Sequence, residues 1–194
     1  EAFLGKPLYT DDLPKISQTV LDWYRAHNLP VVDVAFPEQD INSGTVQAVV
    51  TVYKLGQVKV EGNRWFSSNL LKSEMELQPQ DPIDFAILKT DLNRLSRNPF
   101  RTVNAVLERS DTPGDTDIAL NVNDRLPLRV YASFDNDGLP VTGRGEYSAG
   151  FNWGNVFGLY HQLSYRFITS PDLWRDSNRG PGHSDDPRFT AHSV

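Results

Sequence analysis

From Leu126 onward the chain repeats with a period of two. Leu126, Leu128, Val130, Ala132 and Phe134 share one face of an extended run, and Pro127, Arg129, Tyr131, Ser133 and Asp135 share the other. A second run sets Tyr147, Ala149, Phe151 and Trp153 against Glu146, Ser148, Gly150 and Asn152, and a third sets His161, Leu163, Tyr165 and Phe167 against Gln162, Ser164 and Arg166. Each run is about nine or ten residues, the length a tilted strand needs to cross a bilayer, with aromatics near its ends. The predicted connections are a turn at Asp137-Gly138, a turn at Gly154 to Gly158 and a long polar stretch from Ser170 to Pro187, after which a fourth strand starts at Arg188. A soluble β-sandwich with one wet face has the same period, and stays open on pattern alone.

Before the seam at Val122 to Tyr131 the pattern is that of a water-soluble α+β module. Thr10, Asp11 and Asp12 form a helix start, and Leu13, Ile16, Val20, Trp23, Tyr24 and His27 recur at spacings of three and four until Asn28 and Pro30 stop the helix. Strands are predicted at Val31 to Phe36 and Thr45 to Tyr53, with a loop from Pro37 to Gly44. A short strand follows at Gln57 to Glu61, then a short helix capped by Ser67 or Ser68 and carrying Leu70, Leu71 and Met75. Asp81-Pro82 is read as the opening of a longer helix with Ile83, Ile87, Leu88, Leu92 and Leu95 on one stripe, closed by Asn98-Pro99. Strands at Thr102 to Glu108 and Asp117 to Val122 flank the turn-forming Ser110 to Asp115.

Helix, strand, turn and strand beginning at Thr10, Val31 and Val46 recur at Asp81, Val103 and Ile118, offsets of 71, 72 and 72 residues. An internal repeat of about 70 residues follows, the unit being β-α-α-β-β with the first copy lacking its beginning. The chain opens at Glu1 with no Met and no basic-then-apolar segment, so we read it as a piece of a longer protein whose signal would lie upstream.

Composition narrows the function classes. A net charge of -6, with 19 basic residues scattered among 25 acidic ones, argues against a nucleic-acid partner. No run approaches the roughly 18 apolar residues of a spanning helix. Absence of cysteine removes disulfides and thiolate metal sites. His27, His161, His183 and His192 lack ligand spacing; Ser133, Asp135, Asp137 and Gly138 imitate the front of a calcium loop, but Arg144 stands where a bidentate Glu is needed. Gly143-Arg144-Gly145 lacks a strand-to-helix setting for a nucleotide, and Asp185-Asp186 reads as loop charge. No catalytic, cofactor or metal site is therefore expected.

Several ordered pieces carry a resemblance: Phe36-Pro37-Glu38-Gln39-Asp40-Ile41 with Gly44, Val58-Lys59-Val60-Glu61-Gly62-Asn63, Leu92-Asn93-Arg94-Leu95 with Asn98-Pro99-Phe100-Arg101, Thr116-Asp117-Ile118, and Val122-Asn123-Asp124-Arg125 running into Asp135-Asn136-Asp137-Gly138 and Thr142-Gly143. With these the chain resembles the two-partner secretion (type Vb) transporters, the haemolysin- and filamentous-haemagglutinin-secreting family of the Omp85 superfamily. The resemblance implies an α+β architecture: the C-terminal part of one POTRA domain in residues 1–54, a second POTRA (three-stranded sheet with two helices) in 55–125, and the first antiparallel strands of a transmembrane β-barrel in 126–194. It also implies an outer-membrane location with periplasmic POTRA domains, a secreted polypeptide and membrane lipid as partners, a monomer, and no enzyme activity or cofactor. The strand Arg101 to Glu108 would be an exposed sheet edge, with helix Ile83 to Ser96 as the other wall of a groove. The substrate-binding residues so implied are Arg94, Arg97, Arg101, Val103, Ala105 and Leu107. An Omp85-type assembly factor and a soluble periplasmic peptide-binding module are the competing functions.

Overall fold

The computed structural model describes residue 5 and residues 9–39, 45–136, 145–170 and 190–194. The chain divides into two compact units, one formed by Glu1–Asn63, Ser67–Arg97 and Arg101–Asn123, the other by Arg64–Phe66, Asn98–Phe100 and Asp124–Val194.

In the first unit a 3-10 turn at Thr10–Asp12 runs into helix α1, Leu13–Ala26, with Pro14 in the first turn where no donor is lost. Asp12 holds both the Tyr9 N–H and the Lys15 ammonium, which together keep its carboxyl below the usual range, most of the effect coming from Lys15. The helix ends where the sequence stops it. Asn28 takes a left-handed φ of 65°, and the N–H groups of Asn28 and Leu29 return to the carbonyls of Arg25 and Tyr24. That is the Schellman closure, with Asn in the position usually given to Gly. His27 caps the helix, its Nδ1 2.7 Å from the Trp23 carbonyl and its ring stacked on the Trp23 indole.

Strands β1 (Val32–Ala35) and β2 (Val49–Val52) pair antiparallel, Val32 opposite Val52. β2 is shorter than the predicted Thr45 to Tyr53 for a local reason. The Gln39 side-chain amide clasps residue 47, accepting from its N–H at 2.6 Å and donating to its carbonyl at 2.9 Å, so both backbone groups are taken before a strand can use them.

The sheet that follows has the order β3-β5-β4, from β3 (Lys54–Glu61), β4 (Arg101–Arg109) and β5 (Asp115–Asp124), with β3 parallel to β5. Helices α2 (Ser68–Ser73) and α3 (Phe85–Leu95) lie between β3 and β4 in sequence. Leu55, Leu71, Leu77, Ile83, Leu95, Ile118 and Leu120 form the buried core. α3 begins three residues later than read from the sequence, its cap being Asp84 rather than Asp81. Asp81 and Pro82 are spent on an extended contact with the start of β3: the Leu55 N–H reaches the Asp81 carbonyl, and Lys54 bridges Pro82. Asp84 caps instead, accepting from the Ala86 and Ile87 amides at 2.7 and 3.2 Å.

One polar residue of α3 is wholly buried. Asp91, at 0% exposure, takes the amides of Glu76 and Leu77 at 3.0 to 3.1 Å and pairs with Arg94. The carboxylate thus closes the backbone demand of a loop that has no strand partner.

In the second unit four antiparallel strands follow in order: β6 (Leu128–Asp135), β7 (Glu146–Val156), β8 (His161–Thr169) and β9 (Thr190–Ser193). The register stacks the two faces into rows. Leu128, Trp153 and Leu163 line up, then Val130, Phe151 and Tyr165, then Ala132, Ala149 and Phe167; the opposite face reads Arg129, Asn152 and Ser164, then Tyr131, Gly150 and Arg166. The apolar face is open, with Val130 73% and Phe134 55% exposed. Tyr131 lies over Gly150, where an added Cβ would stand 2.7 Å from the tyrosine hydroxyl and against the Tyr165 carbonyl.

The β7–β8 turn comes later than predicted, at Phe157–Tyr160 rather than Gly154 to Gly158. β7 continues through a register shift to pair Val156 with His161, and Asn155 accepts the Tyr160 N–H. Phe157, Gly158 and Tyr160 all have positive φ. Earlier segments of the chain brace this end. Asp124 gathers the amides of Arg64, Trp65 and Phe66 at 2.8 to 3.1 Å, the Asn155 amide donates to the Trp65 carbonyl, the Asn98 amide donates to the Gly154 carbonyl, and Gly154 lies against the Phe100 ring with no room for a side chain. The expected turn at Asp137-Gly138, the calcium-like positions beyond Asn136, His183, Asp185-Asp186 and most of the polar stretch lie outside the described residues. No helix among the described residues is long and apolar enough to cross a membrane.

Candidate binding groove

Among the described residues β4 is an outer strand of its sheet, and α3 packs beside it. Between them lies a cleft of about 480 Å³, lined from the helix by Phe85, Leu88, Lys89, Leu92, Asn93 and Ser96 and from the strand by Thr102 through Ala105 and by Leu107. The helix positions recur at spacings of three and four, one face by helical geometry. Lys89 is the one charged residue in this lining. An apolar floor with a few polar groups at the rim suits an extended peptide better than a charged small molecule.

The strand edge has a defined start. The Val103 N–H donates to the Ser96 hydroxyl at 3.2 Å, and that hydroxyl faces the Val103 carbonyl at 3.4 Å. Since a residue's N–H and C=O point to one side of a strand and successive residues alternate, Ala105 and Leu107 direct theirs to the same edge as Val103.

Of the implied binding residues, Val103, Ala105 and Leu107 line the cleft and the three arginines do not. Arg101 is buried: its Nε donates to the Leu95 carbonyl and its terminal nitrogen pairs with Glu74 at 3.2 Å. Arg94 is turned toward Asp91 and Glu76. Arg97 is exposed past the helix end, its N–H returning to the Arg94 carbonyl. Arg94 and Arg101 differ from expectation because a guanidinium next to a buried carboxylate or a helix-end carbonyl finds stronger partners there than in an apolar cleft. The sequence reading named helix Ile83 to Ser96 as the other wall but did not single out Phe85, Leu88, Lys89, Leu92 and Ser96 as binding residues; their shared helical spacing was the available signal.

The sheet also carries an ion network. Lys59 on β3 reaches Asp117 on β5 at 3.1 Å and Glu108 on β4 at 3.4 Å, so one ammonium ties three strands. Burial pushes the Asp117 carboxyl up, but hydrogen bonds from the Gln57 amide, Lys59 and the Ser110 hydroxyl outweigh it and hold the group below its ordinary range. The Lys59 ammonium is raised, chiefly by its hydrogen bond to Asp117. Among the described residues no group of three or more His, Asp or Glu side chains could hold a metal ion.

Three family models cover successive parts of the chain. Residues 1–52 match the ShlB-type POTRA domain, residues 53–125 the POTRA described as surface antigen variable number repeat, and residues 114–181 the haemolysin secretion/activation protein ShlB/FhaC/HecB. The chain is 28% identical over 172 residues to the heme/hemopexin transporter protein HuxB of Haemophilus influenzae (strain 86-028NP), covering 87% of this chain and 30% of that protein. It is 24% identical over 144 residues to the outer membrane transporter CdiB-2 of Burkholderia pseudomallei (strain 1026b), covering 74% and 24%. Its fold resembles that of CdiB from Escherichia coli with a TM-score of 0.75 at 18% identity, over 90% of this chain and 32% of that one. The chain thus spans about a third or less of the length of the relatives it matches, of which HuxB and CdiB-2 are transporters. With POTRA sequence in residues 1–52 and 53–125 leading into secretion/activation sequence in residues 114–181, on α+β modules and antiparallel strands, the chain is similar to the haemolysin secretion/activation proteins of the ShlB/FhaC/HecB type.

Proposed function

We propose that this chain is the receptor and pore-entry region of a transporter that recognises a partner exoprotein and moves it across the outer membrane, the second POTRA capturing an extended segment by strand addition. The observation that carries the reading is the open edge of β4 beside the apolar cleft. An extended segment laid along it gains main-chain hydrogen bonds from the edge, and its alternate side chains reach the cleft. Domain limits of 1–54, 55–125 and 126–194 accompany the proposal. Residues from 126 on supply barrel strands, their apolar rows facing lipid and their polar rows the pore, in a monomeric protein. The exposure of Val130 and Phe134 supports lipid contact, because water-facing strands of a soluble sheet do not leave such rows open. Between transporter and assembly factor, the secretion/activation match favours the transporter.

Replacing Ala105 with Pro tests the capture step. Proline removes the N–H that faces the open edge, yet it is tolerated on outer strands. In the full-length transporter the variant should fold and insert normally while capture of the partner exoprotein falls roughly tenfold, the loss of about one net hydrogen bond plus a steric block. Unchanged capture by the variant would remove strand addition as the mode of recognition.

A further inference from the structure

We infer that Ser96 is a register stop: it closes the open edge of β4 at Val103, so that an added strand pairs with Ala105 and Leu107 and goes no further toward Arg101. The inference rests on the strand-addition reading and deepens it by fixing where the captured segment lies. The Ser96 hydroxyl stands where an incoming strand would place its own backbone, accepting from the Val103 N–H at 3.2 Å and facing its carbonyl at 3.4 Å. It is held there because Ser96 caps α3, its own N–H returning to the Leu92 carbonyl. Val103 is also buried, so a strand arriving at that residue would have to displace both the hydroxyl and the packing around it.

Beyond Val103 the edge changes character. Ala105 is half-buried and Leu107 is exposed, and the two alternate residues direct N–H and C=O groups to the same side. Two such residues span about 7 Å of strand, so they engage a segment of roughly four residues. The side chains that segment turns inward meet Leu88, Leu92 and Phe85, with Lys89 at the rim and no carboxylate in the lining. The preferred cargo segment is therefore short and extended, with apolar residues at alternate positions and no basic residue beside Lys89. A short docking edge gives weak, reversible capture, which suits a receptor that has to release what it binds.

The test is amide exchange on the full-length transporter in detergent, read at Val103, Ala105 and Leu107. The probe is a seven-residue peptide of alternating valine and threonine, alongside the same peptide N-methylated at alternate residues so that its pairing edge is blocked. In the free protein, Ser96→Ala should speed exchange at Val103 roughly fivefold, the worth of one modest hydrogen bond, while Ser96→Thr, which keeps the hydroxyl, should not. With the unmethylated peptide the wild type should gain protection at Ala105 and Leu107 only, and Ser96→Ala should gain it at Val103 as well. Peptide protection of Val103 in the wild type, or unchanged Val103 exchange in Ser96→Ala, would overturn the register stop. Failure of the peptide to protect Ala105 and Leu107 in the wild type, with Val103 still speeded by Ser96→Ala, would overturn strand addition itself and with it the assigned register, leaving Ser96 a plain helix cap.

Discussion

Replacing Asp91 with Ala should cost more stability than any other single change to a polar residue in the second POTRA. The carboxylate is fully buried, accepts the Glu76 and Leu77 amides, and neutralises Arg94. Each hydrogen bond to a charged group contributes about 1.5 to 3 kcal/mol, and the alanine leaves the buried Leu77 amide and the part-buried Glu76 amide without an acceptor. Arg94 retains Glu76 at 3.7 Å, so the ion pair is weakened rather than abolished. The expected loss is about 4 kcal/mol, in the range seen when one partner of a buried pair is removed. A module of this size has a total stability of only about 4 to 10 kcal/mol. With a urea slope of about 1 to 2 kcal/mol per molar, the unfolding midpoint of the module should fall by roughly 2 to 4 M. Urea denaturation followed by circular dichroism, with amide exchange at Leu77 as the local reporter, measures this directly. Asp91→Asn keeps one acceptor oxygen and should lose about half as much. A midpoint shift below about 0.5 M for the alanine variant, or an asparagine variant worse than the alanine, would refute the view that the carboxylate holds this loop.

Three further outcomes are expected. Asp117 is depressed and Lys59 raised, so the carboxylate contributes stability that is present above about pH 4 and is lost as pH falls through its lowered folded value, while the ammonium's contribution is present below about pH 10 and is lost as pH rises through its raised one; Lys59→Met should flatten both limbs of a stability-versus-pH curve. Asp84→Ala removes the cap of α3 and should lower stability by about 1 kcal/mol, seen as faster exchange in the first turn of that helix. Gly150→Val would ordinarily favour a strand, but its side chain would meet the Tyr131 hydroxyl and the Tyr165 carbonyl, so folding into detergent or lipid, followed by heat-modifiable gel mobility, should fall sharply while Ala149→Val is tolerated.

What could be read from the sequence followed from how local the cause was. The faces of β6, β7 and β8 were legible because alternation is a property of each strand alone, and the register merely set Leu128, Trp153 and Leu163 side by side. The end of α1 was legible because Asn28 is among the few residues that tolerate a left-handed φ. The start of α3 was not, because Asp81 and Asp84 are chemically the same cap, and only the demand of Leu55 for a partner separates them. The burial of Asp91 and of Arg101, the latter read as a substrate-binding residue, was not legible, since nothing in a helical or strand period announces that a loop at Glu76-Leu77 or a carbonyl at Leu95 will need them. The cleft was half legible: the topology implied by the resemblance points to β4, but the arginines implied along with it lie elsewhere, because topology says nothing about which way a long side chain turns.

Asp124 has a mechanical consequence. It stands three residues before Pro127 and grips Arg64, Trp65 and Phe66 through three amides at once, joining points about 60 positions apart in the chain. A pull transmitted down β6 therefore does not run along a single thread of backbone. It divides at Asp124 among bonds loaded side by side, and such bonds fail together at a higher force than the same bonds opened one after another.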